Sequence, residues 1–176
     1  VDALADERVR GRTAREAFPR PLDQNVIPEA GSVLADGWTT EEEKLLKESR
    51  KILSAPALVL HPTCVRVPVT VSHSESVYVE LSRAATREEL LATWRAAPGI
   101  ELQEAMSDYA TPRETAGSDP VYVGRVRLDR SNPRGVYFWV VADNLRKGAA
   151  LNAVQIAERL YARERAPVRP LARSGA

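Results

Sequence analysis

Apolar side chains recur every three or four positions in three stretches of the chain, which is the spacing of an amphipathic helix. Residues 1–17 are charged and rich in alanine, and they predict a further, exposed helix. The predicted helices therefore cover about residues 1–17, 40–53, 87–96 and 143–163. Polar residues suited to cap the last three stand ahead of them: Thr39 or Thr40, then Thr86, then Asp143 or Asn144.

Alternation of apolar and polar residues, together with runs of β-branched residues, predicts the strands. The two strongest patterns are Val121–Leu128 and Val136–Val141. The turn sequence Ser131–Gly135 lies between them and predicts an antiparallel hairpin. Weaker strand patterns cover residues 57–60, most of 63–76, 74–82 and 100–103. The turn-rich stretches 18–38 and 107–119 predict loops.

Strands grouped between helices predict an α+β fold, with a mostly antiparallel mixed sheet and helices packed on one face. Residues 136–141 are apolar on both faces, whereas a strand with one face in water would alternate. The other face of the sheet therefore needs a cover, and we expect a second copy of the chain to supply it in a homodimer. At 176 residues, we expect one domain covering residues 1–176.

Composition narrows the classes of partner. The net charge is +1 and basic residues are scattered among acids, so we expect no nucleic-acid partner and no binding to an anionic membrane. No apolar run is long enough to cross a bilayer, and no leader pattern opens the chain. A single cysteine cannot form an internal disulfide, and we expect a cytoplasmic protein. Because the first residue is Val rather than Met, we also expect the chain to be a fragment.

The stretch from Thr63 to Ser76 carries the most distinctive side chains. Arg66 offers paired donors that fit a carboxylate, and His73 can carry a proton near neutral pH. Together they suggest a small acidic substrate, although isolated residues of these types are more often structural. In an unbroken strand the two would point to opposite faces, so the hypothesis requires a bend, and Pro68 is the natural place for one.

The run TCVRVPVTVSHSES, residues 63–76, resembles the substrate-site segment of bacterial aspartate-semialdehyde dehydrogenases. Four other stretches resemble the same family in the same order: residues 25–28, 39–53, 123–127 and 143–155. The resemblance covers about residues 1–160 and only the carboxy-terminal half of such an enzyme. It implies the α+β catalytic and dimerisation half of a homodimer, with the amino-terminal NADP-binding half absent.

The resemblance also implies a reaction and a set of roles. The whole enzyme converts aspartyl phosphate to aspartate semialdehyde and phosphate with NADPH, on the route to lysine, methionine, threonine and isoleucine. Arg66 would hold the α-carboxylate and Glu41 the α-ammonium. Lys44 would hold the phosphate, and His73 would shuttle protons as the catalytic acid and base.

Spacing alone leaves other interpretations open for two of these pairs. Glu41 and Lys44 are three residues apart, as in a solvated ion pair on a first helical turn. The choice of Glu41 over Glu42 rests on its distance from Lys44. Asn144 and Lys147 are implied as neighbours of the cofactor or substrate, and tight helix packing is the alternative for the small residues beside them.

Two parts of the family's chemistry have no counterpart in this sequence. The nucleophile belongs to an Asn-Cys motif in the amino-terminal half, and Cys64 among valines is predicted to be a small buried residue instead. No Gly-rich phosphate loop is present, so NADP would be bound mainly by the missing half. We therefore expect this chain alone to be inactive.

Two alternatives to this reaction stay open. The first is a reductase of N-acetyl-glutamyl phosphate, whose substrate has no ammonium group for Glu41 to hold. The second is a non-catalytic dimerisation module of the same fold. The joint presence of Glu41, Lys44, Arg66 and His73 argues against the second, because packing needs none of the four.

Overall fold

The computed structural model describes residues 18–165, with side chains up to residue 162. The chain divides into two compact units between Thr70 and Val71. The single domain expected over residues 1–176 stays a prediction. The helix expected within residues 1–17 lies outside the described residues.

The first unit is built around helix α1, Thr40–Ile52. Thr39 caps it: its side chain accepts from the Glu42 N–H, and the Glu42 carboxylate accepts from the Thr39 N–H. Three consecutive glutamates in the first turn suit the positive end of the helix dipole. The helix predicted over residues 40–53 is therefore confirmed, and of its two candidate caps Thr39 is the one used.

The rest of the first unit is irregular, and the strands predicted over residues 57–60 and 63–71 are wrong. Within this stretch of the described chain only Arg66 pairs, in a two-bond bridge with Ile27 (N–O 3.0 and 2.8 Å). Pro62 and Pro68 remove backbone donors on either side of it, which prevents a continuous ladder. The bend predicted at Pro68 is present, since the Val69 N–H donates to the Val67 carbonyl at 2.8 Å.

The second unit contains a four-stranded mixed sheet. Its strands are β1, His73–Glu80; β2, Ile100–Leu102; β3, Val121–Leu128; and β4, Gly135–Ala142. The spatial order is β1-β4-β3-β2, with β4 antiparallel to both neighbours and β2 parallel to β3. The predicted α+β class, the mostly antiparallel sheet and the hairpin of β3 and β4 are confirmed.

Helices flank the sheet at three places. Helix α2, Arg87–Arg95, follows its predicted cap Thr86. The four-residue helix α3, Pro112–Thr115, lies in a stretch that was predicted to be loop. The last helix begins as a π-helical segment, Arg146–Ala150, and continues as α4, Leu151–Arg165.

The main core lies between α2 and one face of the sheet. Leu91 of α2 packs with Val123 and Val126 of β3, and all three are buried. The rings of Trp94 and Phe138 lie 5.0 Å apart between centroids, which adds an aromatic contact between helix and sheet. Helix α2 therefore covers this face, in agreement with the predicted layering.

The opposite face of the sheet, which we call the aromatic face, carries Tyr78, Tyr137 and Trp139. Tyr78 pairs with Tyr137 across β1 and β4, with ring centroids 4.7 Å apart. Trp139 donates its indole N–H to the Ala110 carbonyl, just ahead of α3. Tyr78 nevertheless remains 45% exposed. The use of this face for dimerisation stays a prediction.

Candidate functional site

Arg66, predicted to hold a carboxylate, has a fixed backbone and an accessible side chain in the first unit. Its N–H and carbonyl both bond to Ile27, which is almost completely buried. Its guanidinium lies 5.9 Å from the centre of the Phe18 ring, at the distance of a cation–π contact. The residue is exposed overall. Arg66 is thus held at its backbone while its charged fork remains accessible to a ligand.

Glu41 and Lys44 share the first turn of α1 as the spacing predicted. The Lys44 Nζ lies 3.5 Å from the Glu41 Oε2. The side chain of Lys44 is 55% exposed and that of Glu41 is 45% exposed. Such an exposed pair contributes little to stability because water screens it. Both charges are therefore accessible for binding a charged substrate.

Glu42, the neighbouring acid, has a structural position instead. It is buried, and its two carboxylate oxygens accept from the backbone N–H groups of Thr39 (2.8 Å) and Cys64 (2.9 Å). The bond from Cys64, followed by that from Thr39, lowers the pKa of the Glu42 carboxyl below its ordinary value. Glu42 is thus committed to the backbone, and Glu41 and Glu43 are left as the accessible acids of this turn, paired with Lys44 and Lys47. Cys64 itself is half-buried rather than fully buried.

Gly31 is a residue of this region that the sequence reasoning missed. It adopts φ +79°, and a Cβ placed on it would lie 2.1 Å from the Thr40 Oγ1 and 3.5 Å from the Glu41 Cγ. The same loop is bonded to the helix start, since the Ser32 N–H donates to the Thr40 hydroxyl at 3.1 Å. Only glycine fits this close approach, and no signal in the sequence separates it from other loop glycines.

His73, the predicted proton carrier, is the first residue of β1 in the second unit. It pairs with Ala142 at the last rung of the β1–β4 ladder, on an edge strand, and it is exposed. The imidazole is therefore accessible, while sheet pairing constrains its backbone only on the side that continues into β1.

Ser72, immediately before His73, is held by two bonds that the sequence did not reveal. Its N–H donates to the Asn144 Oδ1 at 2.9 Å, and its hydroxyl lies 2.9 Å from the Thr115 hydroxyl. Ser72 is 4% exposed and Thr115 is fully buried. The backbone of Ser72 has φ +78°, which is uncommon for a residue other than glycine.

Asp143 anchors the beginning of the last helix. Its carboxylate accepts from the N–H groups of Gly117 (2.7 Å), Leu145 (2.8 Å) and Arg146 (3.2 Å). The bond from Gly117 is the largest cause that lowers the pKa of this carboxyl, with the other two adding to it. The N-cap position itself falls at Leu145, so the prediction of Asp143 or Asn144 as the cap is wrong. Asp143 nevertheless bonds the backbone at the start of the helix, and it also holds the residues after α3.

Asn144 and Lys147, implied as neighbours of the cofactor, both have partners within the second unit. The Asn144 oxygen is bonded to Ser72, and the Lys147 Nζ donates to the Gln155 Oε1 at 2.6 Å. They lie one helical turn apart at the start of the last helix.

The predicted residues thus form two groups. In the first unit, Glu41 and Lys44 lie on the first turn of α1, and Glu42 of the same turn bonds to Cys64 in the segment that carries Arg66. In the second unit, Asn144 bonds to Ser72, the residue before His73. Among residues 18–165 no group of three or more His, Cys, Asp or Glu is placed to hold a metal ion. None of the helices in that range is long and apolar enough to cross a membrane.

Comparison with known proteins agrees with this fold. The family model described as the semialdehyde dehydrogenase dimerisation domain matches residues 5–147. The chain therefore belongs to the semialdehyde dehydrogenase family. Its relatives within that family are aspartate-semialdehyde dehydrogenases, and it corresponds to their carboxy-terminal part, as the sequence resemblance predicted.

The individual matches give the extent of this relationship. The chain is 48% identical over 144 residues to the enzyme of Shewanella violacea, covering 81% of this chain and 43% of that protein. It matches aspartate semialdehyde dehydrogenase II of Vibrio cholerae, solved in complex with ASA, with a TM-score of 0.82 and 41% identity, over 92% of this chain and 49% of that one. A structure with NADP from Candida albicans shares the fold, with a TM-score of 0.64 and 22% identity, over 87% and 49%. The chain thus spans less than half the length of these relatives.

Proposed function

We propose that this chain is the substrate-binding and dimerisation part of an enzyme that reduces aspartyl phosphate to aspartate semialdehyde with NADPH. The observation that carries the proposal is the accessibility of four polar side chains, Glu41, Lys44, Arg66 and His73, in a chain 48% identical to such an enzyme. None of the four is buried in a core. Each is therefore accessible to a substrate.

The amino-acid end of the substrate would be held by opposite charges. The two parallel donors of Arg66 match the geometry of the α-carboxylate, and its paired backbone keeps the side chain in place. Glu41 would accept hydrogen bonds from the α-ammonium group. An acetylated amine lacks that charge, which favours aspartyl phosphate over N-acetyl-glutamyl phosphate as the substrate.

The reacting end would be served by Lys44 and His73. Lys44 would hold the phosphate group as a compact positive charge, exchanging its ion pair with Glu41 for the phosphate. His73 would give and take protons at the reacting carbon's oxygen, a task that suits an imidazole near neutral pH. NADPH supplies the hydride when it is bound.

The coenzyme site is proposed to lie mainly outside this chain. Asn144 and Lys147 are the residues proposed to lie near NADP, and the polar groups of both are used within the second unit. The sequence contains no Gly-rich phosphate loop of the dinucleotide-binding kind. NADP is therefore proposed to bind mainly to the part of the enzyme that this chain does not cover, and the chain alone is proposed to be inactive. A cytoplasmic location stays a prediction.

We propose a homodimer formed through the aromatic face of the sheet. The rings of Tyr78 and Tyr137 lie in tilted contact on this face. A groove of about 270 Å³ next to it is lined by Ser76, Tyr109 and Trp139, among others. The matching family model is described as a dimerisation domain. An aromatic surface with a groove is the kind of feature that a second subunit covers.

The alternative of a non-catalytic dimerisation module is supported by one observation, the description of the matching family model as a dimerisation domain. The test is to assay phosphate- and NADP-dependent oxidation of aspartate semialdehyde by the full-length protein that contains this chain, and by its His73→Ala variant. We expect activity that falls strongly in the variant. Equal activity of both proteins would exclude the role of His73, and no activity in either would favour the dimerisation module.

A further inference from the structure

We propose that Asn144 and Thr115 are positioning residues that fix His73 through the residue before it, Ser72. The inference rests on the proposed role of His73 as the proton carrier. Neither residue contacts the substrate in this proposal. Both act by limiting the orientations open to the His73 backbone, and hence to its imidazole.

The first argument is the location of His73. It occupies the last rung of an edge strand, where pairing with Ala142 constrains one side only. Strand ends open more readily than strand centres. The two bonds to Ser72 hold the residue that directly precedes the ladder. They therefore act at the end of β1, where the strand would otherwise fray.

The second argument is the conformation of Ser72. A φ of +78° in a residue other than glycine costs free energy and persists only where the surroundings impose it. Here two separate elements do so: Asn144, which follows β4, holds the Ser72 N–H, and Thr115 of α3 holds the hydroxyl. Glycine would adopt the same φ more easily, but it has no hydroxyl for Thr115.

The third argument is that the two anchors are themselves joined. Asp143, next to Asn144, accepts from the Gly117 N–H at 2.7 Å, two residues beyond Thr115. The Thr115 side chain is fully buried and Asp143 is 3% exposed. The start of the last helix and α3 therefore act as one frame around Ser72. Proton transfer requires hydrogen-bond precision, and this frame supplies it for His73.

The test uses NMR of the whole 176-residue chain, which contains two histidines, His61 and His73. Thr115→Val removes the hydroxyl and keeps the shape, and Asn144→Ala removes the acceptor. In each variant we expect the Ser72 amide to exchange about three- to tenfold faster. We also expect the His73 ring to become more mobile, while the His61 ring signals stay unchanged as an internal reference.

Matched variants separate positioning from general loss of structure. Thr93→Val removes an exposed hydroxyl on α2 that bonds only to the Glu89 carbonyl, and it should leave the His73 ring unchanged. Thr115→Ser and Asn144→Asp keep the bonding oxygen and should restore wild-type signals. If Thr115→Val does not fold, Asn144→Ala decides, because Asn144 is only half-buried.

The full-length protein supplies a second measurement. Thr115→Val should lower kcat and leave KM unchanged, because the substrate-binding groups are untouched. The inference would be overturned if the His73 ring were as well ordered in Thr115→Val and Asn144→Ala as it is in Thr93→Val. This holds even if the Ser72 amide exchanged faster in those two variants. Failure of the proposed function gives a different result: His73→Ala would keep full activity while the NMR effects remained.

Discussion

The backbone N–H of Cys64 donates to the carboxylate of Glu42 at 2.9 Å, and this bond ties helix α1 to the segment that carries Arg66. The same carboxylate caps α1 through the Thr39 N–H. One buried acid thus joins the turn that holds Glu41 and Lys44 to the segment that presents Arg66. The geometry of the proposed substrate groups in the first unit depends on a residue that is not itself proposed to touch substrate.

We predict that Glu42→Gln destabilises the first unit more than Glu43→Gln does. An amide offers one acceptor oxygen for two backbone donors, so one N–H would face the NH₂ group and lose its partner. Glu43 forms only an exposed ion pair with Lys47, and its loss should have little effect. Urea unfolding of both variants of the chain checks this. Equal transition midpoints would show that the Cys64 bond does not hold the segment.

The pH dependence of stability should include a contribution from Asp143. Its folded pKa lies below the ordinary value of about 3.9, so below that value the unfolded state binds more protons than the folded state. The stabilisation is present above that pH and is lost as pH falls through the folded pKa. The stability difference between wild type and Asp143→Asn should therefore shrink from pH 6 towards pH 2.

Urea midpoints measured across that range test the prediction. Glu101→Gln, which changes an exposed acid on β2, is the control and should show a small difference that varies little with pH. A difference for Asp143→Asn that is constant with pH would show that its bonds to Gly117 and Leu145 do not favour the charged form.

Several elements could be predicted from the sequence because local pattern and tertiary structure agree there. Val121–Leu128 alternates and pairs on both sides, and its predicted bounds are the observed ones. The segment before Pro68 has the same β-branched composition, but its prolines and its single paired residue leave it irregular. Composition predicts strand propensity, and only the available partners decide whether a ladder forms.

Helix α3 and the contact between Ser72 and Thr115 differ in how far the sequence reveals them. Helix α3 has a recognisable signature, Thr111 followed three residues later by Glu114, whose carboxylate bonds the Thr111 N–H at 2.7 Å. The contact between Ser72 and Thr115 joins residues 43 apart in sequence, and no local rule predicts it. The roles of Glu41, Lys44, Arg66 and His73 came from resemblance, and they stay predictions.

The strain at Ser72 predicts an unusual order of stabilities. Ser72→Ala and Ser72→Gly both lose the bond to Thr115, but only glycine adopts φ +78° freely. The glycine variant should therefore be more stable than the alanine variant by about 1 kcal/mol. At Ser74, within β1, the order should be reversed, because glycine weakens an ordinary strand. Urea unfolding of the four variants measures both differences, and the same order at both positions would contradict the strained φ.

Gly31→Ala should destabilise the chain more than Gly117→Ala. Both glycines have a positive φ, at +79° and +82°, so both alanines carry a similar backbone cost of about 1–2 kcal/mol. Only at Gly31 would the new Cβ collide with a neighbour, the Thr40 Oγ1 at 2.1 Å; nothing lies within 4 Å at Gly117. We expect an additional loss of about 1–3 kcal/mol. Equal losses at the two positions would show that the loop yields without cost.

The last prediction concerns Arg66 in the full-length protein. Arg66→Lys keeps the positive charge and loses the two-pronged donor geometry that fits a carboxylate. If Arg66 holds the α-carboxylate, kcat/KM for aspartate semialdehyde should fall roughly 10- to 1,000-fold. Arg20→Lys, an exposed arginine of the same unit, should have no such effect.

A substrate analogue without the α-carboxylate separates binding from a general defect. It should react poorly with the wild type, and Arg66→Lys should then cost little more, because the two changes delete the same interaction. His73→Ala should instead lower kcat for both substrates, since proton transfer does not depend on the carboxylate. The bridge between residue 66 and Ile27 uses backbone atoms only, so Arg66→Lys should keep it, and the loss can be assigned to the guanidinium. An unchanged kcat/KM for the natural substrate in Arg66→Lys would exclude Arg66 as the carboxylate-binding residue.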